Sequence, residues 1–400
     1  MSFFETHLRK LKEKNLYRVL RESVDAGAEI FFKGKKYLNF SSNNYLGLTQ
    51  HSALKIAAIE AIEKYGVGSG ASRLITGSHV LHHQLEEKLA TFKGTEKALV
   101  FNSGYHANLG VIQALCDKDS VVFSDEWNHA SLIDACRLSG AKKIIYRHCD
   151  LNHLETLLKK STRKRTARRA PTLIATDSVF SMDGDLAPLP ELLSLCEKYD
   201  CWLYVDEAHG TGVFGKNGRG VVEHFKINPH HPRLIQMGTL GKAFGCFGAY
   251  VAGSKELIDY LINRARTFIF TTALPPSVMA SAMAAIDVVR SEPELREKLW
   301  ENVSLCVSAL VRWCDSNSSL THDRTNAPAH QLSPIIPFII GDSKKTLEIS
   351  EKLFKAGIWA QPIRPPTVPE GTSRIRFTVT ALHTKNQIEK VKRVLARLRA

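Results

Sequence analysis

Gln236-Met237-Gly238-Thr239-Leu240-Gly241-Lys242-Ala243-Phe244-Gly245 is a short apolar run that ends in a loop of glycine and threonine presenting one lysine. Lys242 stands between Gly241 and Ala243 with no charged neighbour. An amine in such surroundings tends to lose solvent, which lowers its pKa and makes it nucleophilic. Alone, a lysine after a strand is most often a surface charge. Its meaning changes beside an upstream stretch, Tyr204-Val205-Asp206-Glu207-Ala208-His209-Gly210-Thr211-Gly212. There the apolar run Cys201–Val205 ends in Asp206, and His209 follows three residues later.

A lysine that captures an aldehyde and a carboxylate that keeps a pyridine nitrogen protonated are what pyridoxal 5′-phosphate (PLP) chemistry requires. Asp206-x-x-His209 followed by Thr239-x-x-Lys242 offers both from consecutive strand ends. Either half by itself reads equally well as a turn or a helix cap.

Outward from these two segments, apolar runs recur at Ala98–Asn102, Val121–Ser124, Ile144–Arg147, Leu173–Thr176, Trp202–Val205, Leu234–Met237 and Ala249–Ala252. Helix-length connections separate several of them, Leu189–Tyr199 among them. Short runs buried on both faces and joined by helices predict a mostly parallel α/β sheet, whose carboxyl strand ends converge on one crevice. Seven strands are expected in a large domain. Ahead of it, residues 2–20 carry Leu8, Leu11, Leu16 and Leu20 among charges, an amphipathic helix pattern, and Lys36–Phe40 reads as a strand. Behind it come a helix-rich stretch from Pro275 to about Cys314 and a polar linker, Asp315–Gln331. The chain closes with an α+β unit: strand Ile335–Ile340, helix Lys344–Lys355, strand-like Trp359–Ile363, strand Arg374–Val379 and helix Lys385–Arg399. The expected division is 1–50 as an N-terminal helix and small strand segment, 51–290 as the large domain, and 291–400 as a small domain.

With 400 residues, 44% hydrophobic and 24% charged, the chain suits one large core plus a smaller one. No apolar run nears the roughly 20 residues that span a bilayer, and the N-terminus has no signal-peptide core. Eight cysteines without CxxC spacing read as reduced core residues of a cytoplasmic protein, with no metal site. The formal charge of +14 raises nucleic acid as a partner. Its densest cluster, Lys159–Arg169, lacks interleaved aromatics, so a solvated loop is the reading, with an electrostatic lure for an anionic partner as the remaining role.

Three further segments complete the pattern. Ser103-Gly104-Tyr105 turns a strand into a helix, whose free N–H groups suit a phosphate. Asn128-His129-Ala130-Ser131 follows the next strand, and Val179–Gly184, with Ser181, follows a later one. In this order, the set resembles the α-oxoamine synthases, PLP-dependent transferases of fold type I, over nearly the whole chain. The resemblance implies that Lys242 holds PLP as a Schiff base and later moves protons, that Asp206 pairs with the pyridinium nitrogen, and that His129 lies against the ring face. It places His209 and Ser181 near the cofactor's phenolic oxygen, and Gly104, Tyr105 and Thr239 around ring and phosphate. It also implies a homodimer in which Thr271 and Thr272 reach the neighbouring subunit's site.

Arg364-Pro365-Pro366-Thr367-Val368-Pro369 and Phe268–Pro276 resemble the branch of that family that joins L-alanine to a pimeloyl thioester in biotin biosynthesis. Asn128 leans instead toward the glycine-using ligases. The acyl carrier is coenzyme A or acyl carrier protein, both anionic. Within this reading Arg376 matches the amino acid's carboxylate, with Asn43 assisting. His129 is the donor to the oxyanion. Arg18 (or Arg21) and Thr367 contact the acyl group, and Arg364 helps hold a carboxylate. Two other readings stand beside it: a sister enzyme using glycine or serine, and a silent partner subunit or basic binding protein. The presence of Lys242, Asp206 and His209 speaks against the last.

Overall fold

The computed structural model describes residues 2–24, 27–162, 172–314 and 332–398. Arg163–Arg169 of the basic cluster and the linker 315–331 lie outside them, whereas Lys159 and Lys160 end the helix Leu151–Thr162. The chain forms two compact units. The larger comprises Leu48–Ser181 and Asp185–Arg296, and the smaller Met1–Gly47, Met182–Gly184 and Glu297–Ala400.

The larger unit is built on seven strands: β1 (Lys97–Phe101), β2 (Val121–Asp125), β3 (Lys142–Tyr146), β4 (Thr172–Asp177), β5 (Trp202–Asp206), β6 (Leu234–Thr239) and β7 (Ala249–Gly253). They lie in the order β1-β7-β6-β5-β4-β2-β3, all parallel except β7, which is antiparallel to both neighbours. Each expected apolar run falls within one strand or ends one residue beyond it. Their burial explains the runs: β4 and β7 are buried at every residue, while β3, at the sheet edge, is mostly half-exposed or exposed. Leu99, Val122, Leu173, Tyr204, Ile235 and Val251 from six strands join one core with Val111 and Ile112 of the helix Gly104–Leu115. Register then aligns the carboxyl ends. Asp177 pairs with Asp206, and Asp206 with Met237, two residues before Thr239.

In the smaller unit, Ile335–Gly341, Ser373–Thr378 and Gln361–Ile363 form an antiparallel sheet with Ser373–Thr378 in the middle. Helices Ser343–Lys355 and Lys385–Arg397 accompany it. A second sheet joins Glu29–Phe32, Lys35–Asn39 and Ile358–Trp359. The expected strand Trp359–Ile363 is therefore two strands serving two sheets, with buried Ala360 at the change-over.

The expected helix 2–20 is also corrected: it runs only from Phe3 to Glu13. Asn15 adopts φ 56°, and Leu16 N–H and Asn15 N–H donate to the Leu11 and Lys12 carbonyls. This closure stops the helix before Leu16, and Leu20 is fully exposed.

Candidate active site

Asp206, the last residue of β5, is 3% exposed, and both of its oxygens are held. Oδ1 accepts the Ala208 N–H (2.9 Å) and Oδ2 accepts Asn108 Nδ2 (2.8 Å). The same Nδ2 reaches Ser131 Oγ at 2.8 Å, while the Tyr204 hydroxyl donates to Asn108 Oδ1 at 2.7 Å. The carboxylate fixes the orientation of the Asn108 amide, because only the NH2 side can face it. The buried Asp206 carboxylate thus sits at the end of a hydrogen-bonded set of neutral groups, Asn108, Ser131 and Tyr204.

His129 caps the helix Ala130–Leu138. Its Nδ1 lies 2.7 Å from Ser131 Oγ and accepts the Ser131 N–H at 3.3 Å. Ser131 Oγ already accepts from Asn108, so its own proton goes to His129 Nδ1. That assigns the proton of the neutral ring to Nε2. Burial lowers the His129 pKa, Asp206 opposes the shift and Lys242 adds to it, so the ring is neutral at physiological pH. The His129 N–H donates to Asp177 Oδ2 at 2.7 Å, and burial and then Asp206 push the Asp177 carboxyl well up.

Lys242 follows β6 in a tight loop, and its Nζ lies 2.9 Å from His209 Nε2. Gly245 ends that loop at φ +63°, where an added Cβ would come within 2.5 Å of the Thr49 nitrogen. Across the strand ends, Ser103 caps the helix Gly104–Leu115 by accepting the His106 N–H. An added Cβ at Gly104 would lie 2.8 Å from Thr239 Cγ2, so the two residues are in contact only because position 104 has no side chain.

The larger unit therefore links Asp206 to His129 through Asn108 and Ser131, pairs Lys242 with His209, and sets Gly104 against Thr239. Tyr105 is 42% exposed and its hydroxyl bonds Asp134. Ser181 is half-buried in the turn after β4. Thr272 bridges Ser72, its carbonyl accepts Asn102 Nδ2 at 3.0 Å, and Thr271 is half-buried beside it.

In the smaller unit Arg376 lies on the middle strand, 6% exposed, donating to Thr378 Oγ1 (2.8 Å) and Asn43 Oδ1 (3.2 Å). Burial raises the neighbouring Tyr45 to about 12, against the pull of Arg376. Arg18 Nη2 donates to Thr367 Oγ1 at 3.2 Å. Arg364 bonds the Asn15 carbonyl, and its pKa is lowered by burial and then by Arg18. Arg21 instead lies over the Phe354 and Trp359 rings, 4.9 and 5.4 Å from their centroids. Of the two arginines left open, Arg18 is the one grouped with Thr367 and Arg364.

Sequence reasoning assigned no part to Asn108, Tyr204 or Ser131, although two signals were there. Tyr204 and Asp206 are two apart on a strand and share a face, and Gly104 and Asn108 are four apart on one helix face. Asn128 proves to be internal. It is 5% exposed, donates to Ser124 Oγ and the Ala175 carbonyl, and accepts the Asp177 N–H. Its hydrogen bonds join β2 to β4.

Residues 35–395 match the family of class I and II aminotransferases. The 8-amino-7-oxononanoate synthases of Geobacter sulfurreducens and Thermoanaerobacter pseudethanolicus are 48% and 47% identical, over 98% and 97% of this chain and 96% and 94% of theirs. A serine palmitoyltransferase variant of S. paucimobilis, solved with bound PLP–myriocin, superposes with TM-score 0.87 at 30% identity, over 98% of this chain and 96% of that one. The chain belongs to the class I and II aminotransferase family and, within it, to the α-oxoamine synthases.

Proposed function

We propose that this protein is a PLP-dependent 8-amino-7-oxononanoate synthase. It condenses L-alanine with a pimeloyl thioester, on coenzyme A or acyl carrier protein, releasing carbon dioxide and the free thiol in biotin biosynthesis. The observation that carries the reading is the pairing of Lys242 with His209 at 2.9 Å beside a buried Asp206 held by two hydrogen bonds. The full-length likeness to synthases of that name selects the branch.

The residues fit PLP. Gly104 starts its helix in close contact with Thr239, at an N-terminus whose N–H groups suit a phosphate. Asp206 is an anchored anion for a pyridinium nitrogen, and Lys242 is an amine for an aldehyde. PLP, when bound, supplies an aldehyde for amines and a ring that takes up the electron pair released at the amino acid's α-carbon.

The chain's own residues do the rest. Asp206 stabilises the protonated nitrogen, and Lys242 Nζ holds and returns the α-proton. His209 orients that amine, and Ser181 and Tyr105 line the cofactor. His129 Nε2–H is a ready donor to the oxyanion that forms at the thioester carbonyl. Arg376, steadied by Asn43 and Thr378, takes the amino acid's carboxylate. Arg18 and Thr367 receive the acyl group, and Arg364 a carboxylate. The assembly in this reading is a homodimer, with Thr271 and Thr272 serving the partner's site. A cytoplasmic location accords with the free thiols of Cys116, Cys136, Cys149, Cys196, Cys201, Cys246 and Cys306, and no helix among the described residues is long and apolar enough to cross a membrane.

The test is product analysis with L-alanine, glycine and serine, each offered pimeloyl and acetyl thioesters on both carriers. L-Alanine with a pimeloyl thioester is expected to give 8-amino-7-oxononanoate and carbon dioxide. Turnover confined to glycine with acetyl-coenzyme A would overturn the reading in favour of a sister enzyme.

A further inference from the structure

His148 lies outside every motif above, two residues past the end of β3. Its Nδ1 is 3.0 Å from Asp125 Oδ1 and its Nε2 is 2.6 Å from Asp185 Oδ2. The ring is stacked on Trp127 at 3.8 Å and meets Phe180 edge-on at 4.4 Å. Asp125 is 2% exposed and also accepts the N–H groups of Trp127 and Cys149, both at 2.9 Å. Glu126 Oε1 accepts the His148 N–H, and Asp185 O accepts the Phe180 N–H. The groups facing the ring are thus Asp125, Asp185 and the Cys149 thiol, with Glu126 on its backbone. Burial opposes a proton on this ring, but the hydrogen bonds to Asp125 and Asp185 outweigh it and lift the pKa to about 12. Both flanking loops lead to residues that the functional reading uses. Asp125 and Trp127 open the turn that ends at His129, and Phe180 precedes Ser181.

We propose that His148 is a positioning residue of the cofactor site: bound at both ring nitrogens, it ties the turn that presents His129 to the loop that presents Ser181. The proposal rests on the PLP reading above. The ring carries no reacting atom, so its effect is on how well the two presented side chains are held.

The experiment compares wild type, H148Q, D185N and H148Q/D185N. Borohydride reduction of the PLP-loaded wild type, with peptide mapping, comes first. A pyridoxyl label away from Lys242 overturns the PLP reading and this proposal with it. With the label on Lys242, PLP dissociation constants are measured by titrating apo-protein from about pH 6 to 10, alongside Trp127 emission taken as the difference from W127F. H148Q is expected to weaken PLP about tenfold, the lower end of the scale on which outer partners of a ligand-holding side chain act. In D185N the ring keeps one carboxylate and titrates closer to neutrality. Its PLP affinity therefore falls with rising pH more steeply than wild type, in step with release of the imidazolium quenching of Trp127. The double variant shows neither change. Wild-type affinity in a folded H148Q, or D185N profiles parallel to wild type, would overturn the proposal alone. Should H148Q not fold, the D185N profile decides.

Discussion

The carboxylate at 206 depends on a residue far away in sequence. Asn108 spends one amide proton on Asp206 and the other on Ser131, with Tyr204 fixing its carbonyl. Removing it leaves a buried anion short of a donor, a loss of about 1.5–3 kcal/mol for a hydrogen bond to a charged group. N108A is therefore expected to lower kcat/KM about 10- to 100-fold while borohydride still labels Lys242. An unchanged kcat/KM would show that Asp206 is held adequately by Ala208 alone. Ser131 acts one bond further out. S131A removes the hydroxyl proton that assigns His129 its Nε2–H form. It is expected to lower kcat by about tenfold with little change in the KM for alanine, because the oxyanion appears only after the amino acid is bound. A pure KM effect would remove His129 from the acyl-transfer step.

At the level of elements, the loop Leu240–Gly245 shows how the sheet makes Lys242 usable. β6 delivers the chain to the strand ends, and a left-handed glycine turns it sharply enough to aim the lysine back at His209. G245A faces both an unfavourable φ and a Cβ pressed on Thr49 and Leu48. A stability loss of about 1–3 kcal/mol is expected by denaturant titration, together with weaker PLP binding, since the lysine shifts with its loop. Stability and affinity both at wild-type levels would mean that the loop relaxes without moving Lys242. This loop was legible in the sequence because glycine, lysine and strand end are adjacent there. The N-terminal helix was not, because leucine spacing runs on through Leu16 and Leu20 while one left-handed Asn15 ends the helix. Likewise Trp359–Ile363 reads as a single strand, and only the pairing partners, Lys35–Asn39 and Ser373–Thr378, divide it. Local pattern reveals an element's type; its partners decide where it stops.

Over the whole molecule, the α/β order and the strand-end lysine and aspartate could be read from periodicity, while the groups that set charge could not, since they are assembled from distant segments. Two buried histidines, His82 and His383, and the half-buried His148 show the consequence for pH. His148 faces two carboxylates, and its stabilising proton is fully present below the unfolded value near 6.5 and lost only as pH rises through about 12. His82 and His383 are the reverse case. In each, Nδ1 accepts a backbone N–H, from His79 and Thr380, and Nε2 donates to a carbonyl, of Leu274 and Asn39. Protonation would set Nδ1–H against an N–H in a buried place, and both pKa values are lowered to about 4, burial being the largest cause. The folded chain therefore binds fewer protons here than the unfolded one between about pH 6.5 and 4. The stability these rings lend is complete above that window and drains away as pH falls through it, by about 3 kcal/mol per ring. Urea titrations at about pH 7 and pH 4.5 should show wild type losing much of its stability across the interval. H383Q, with no titrating ring at that site, should start lower at neutral pH and lose less on acidification. If H383Q and wild type lose equal stability between the two pH values, protonation of His383 is not what acid acts on, and the neutral ring assigned by its hydrogen bonds is wrong.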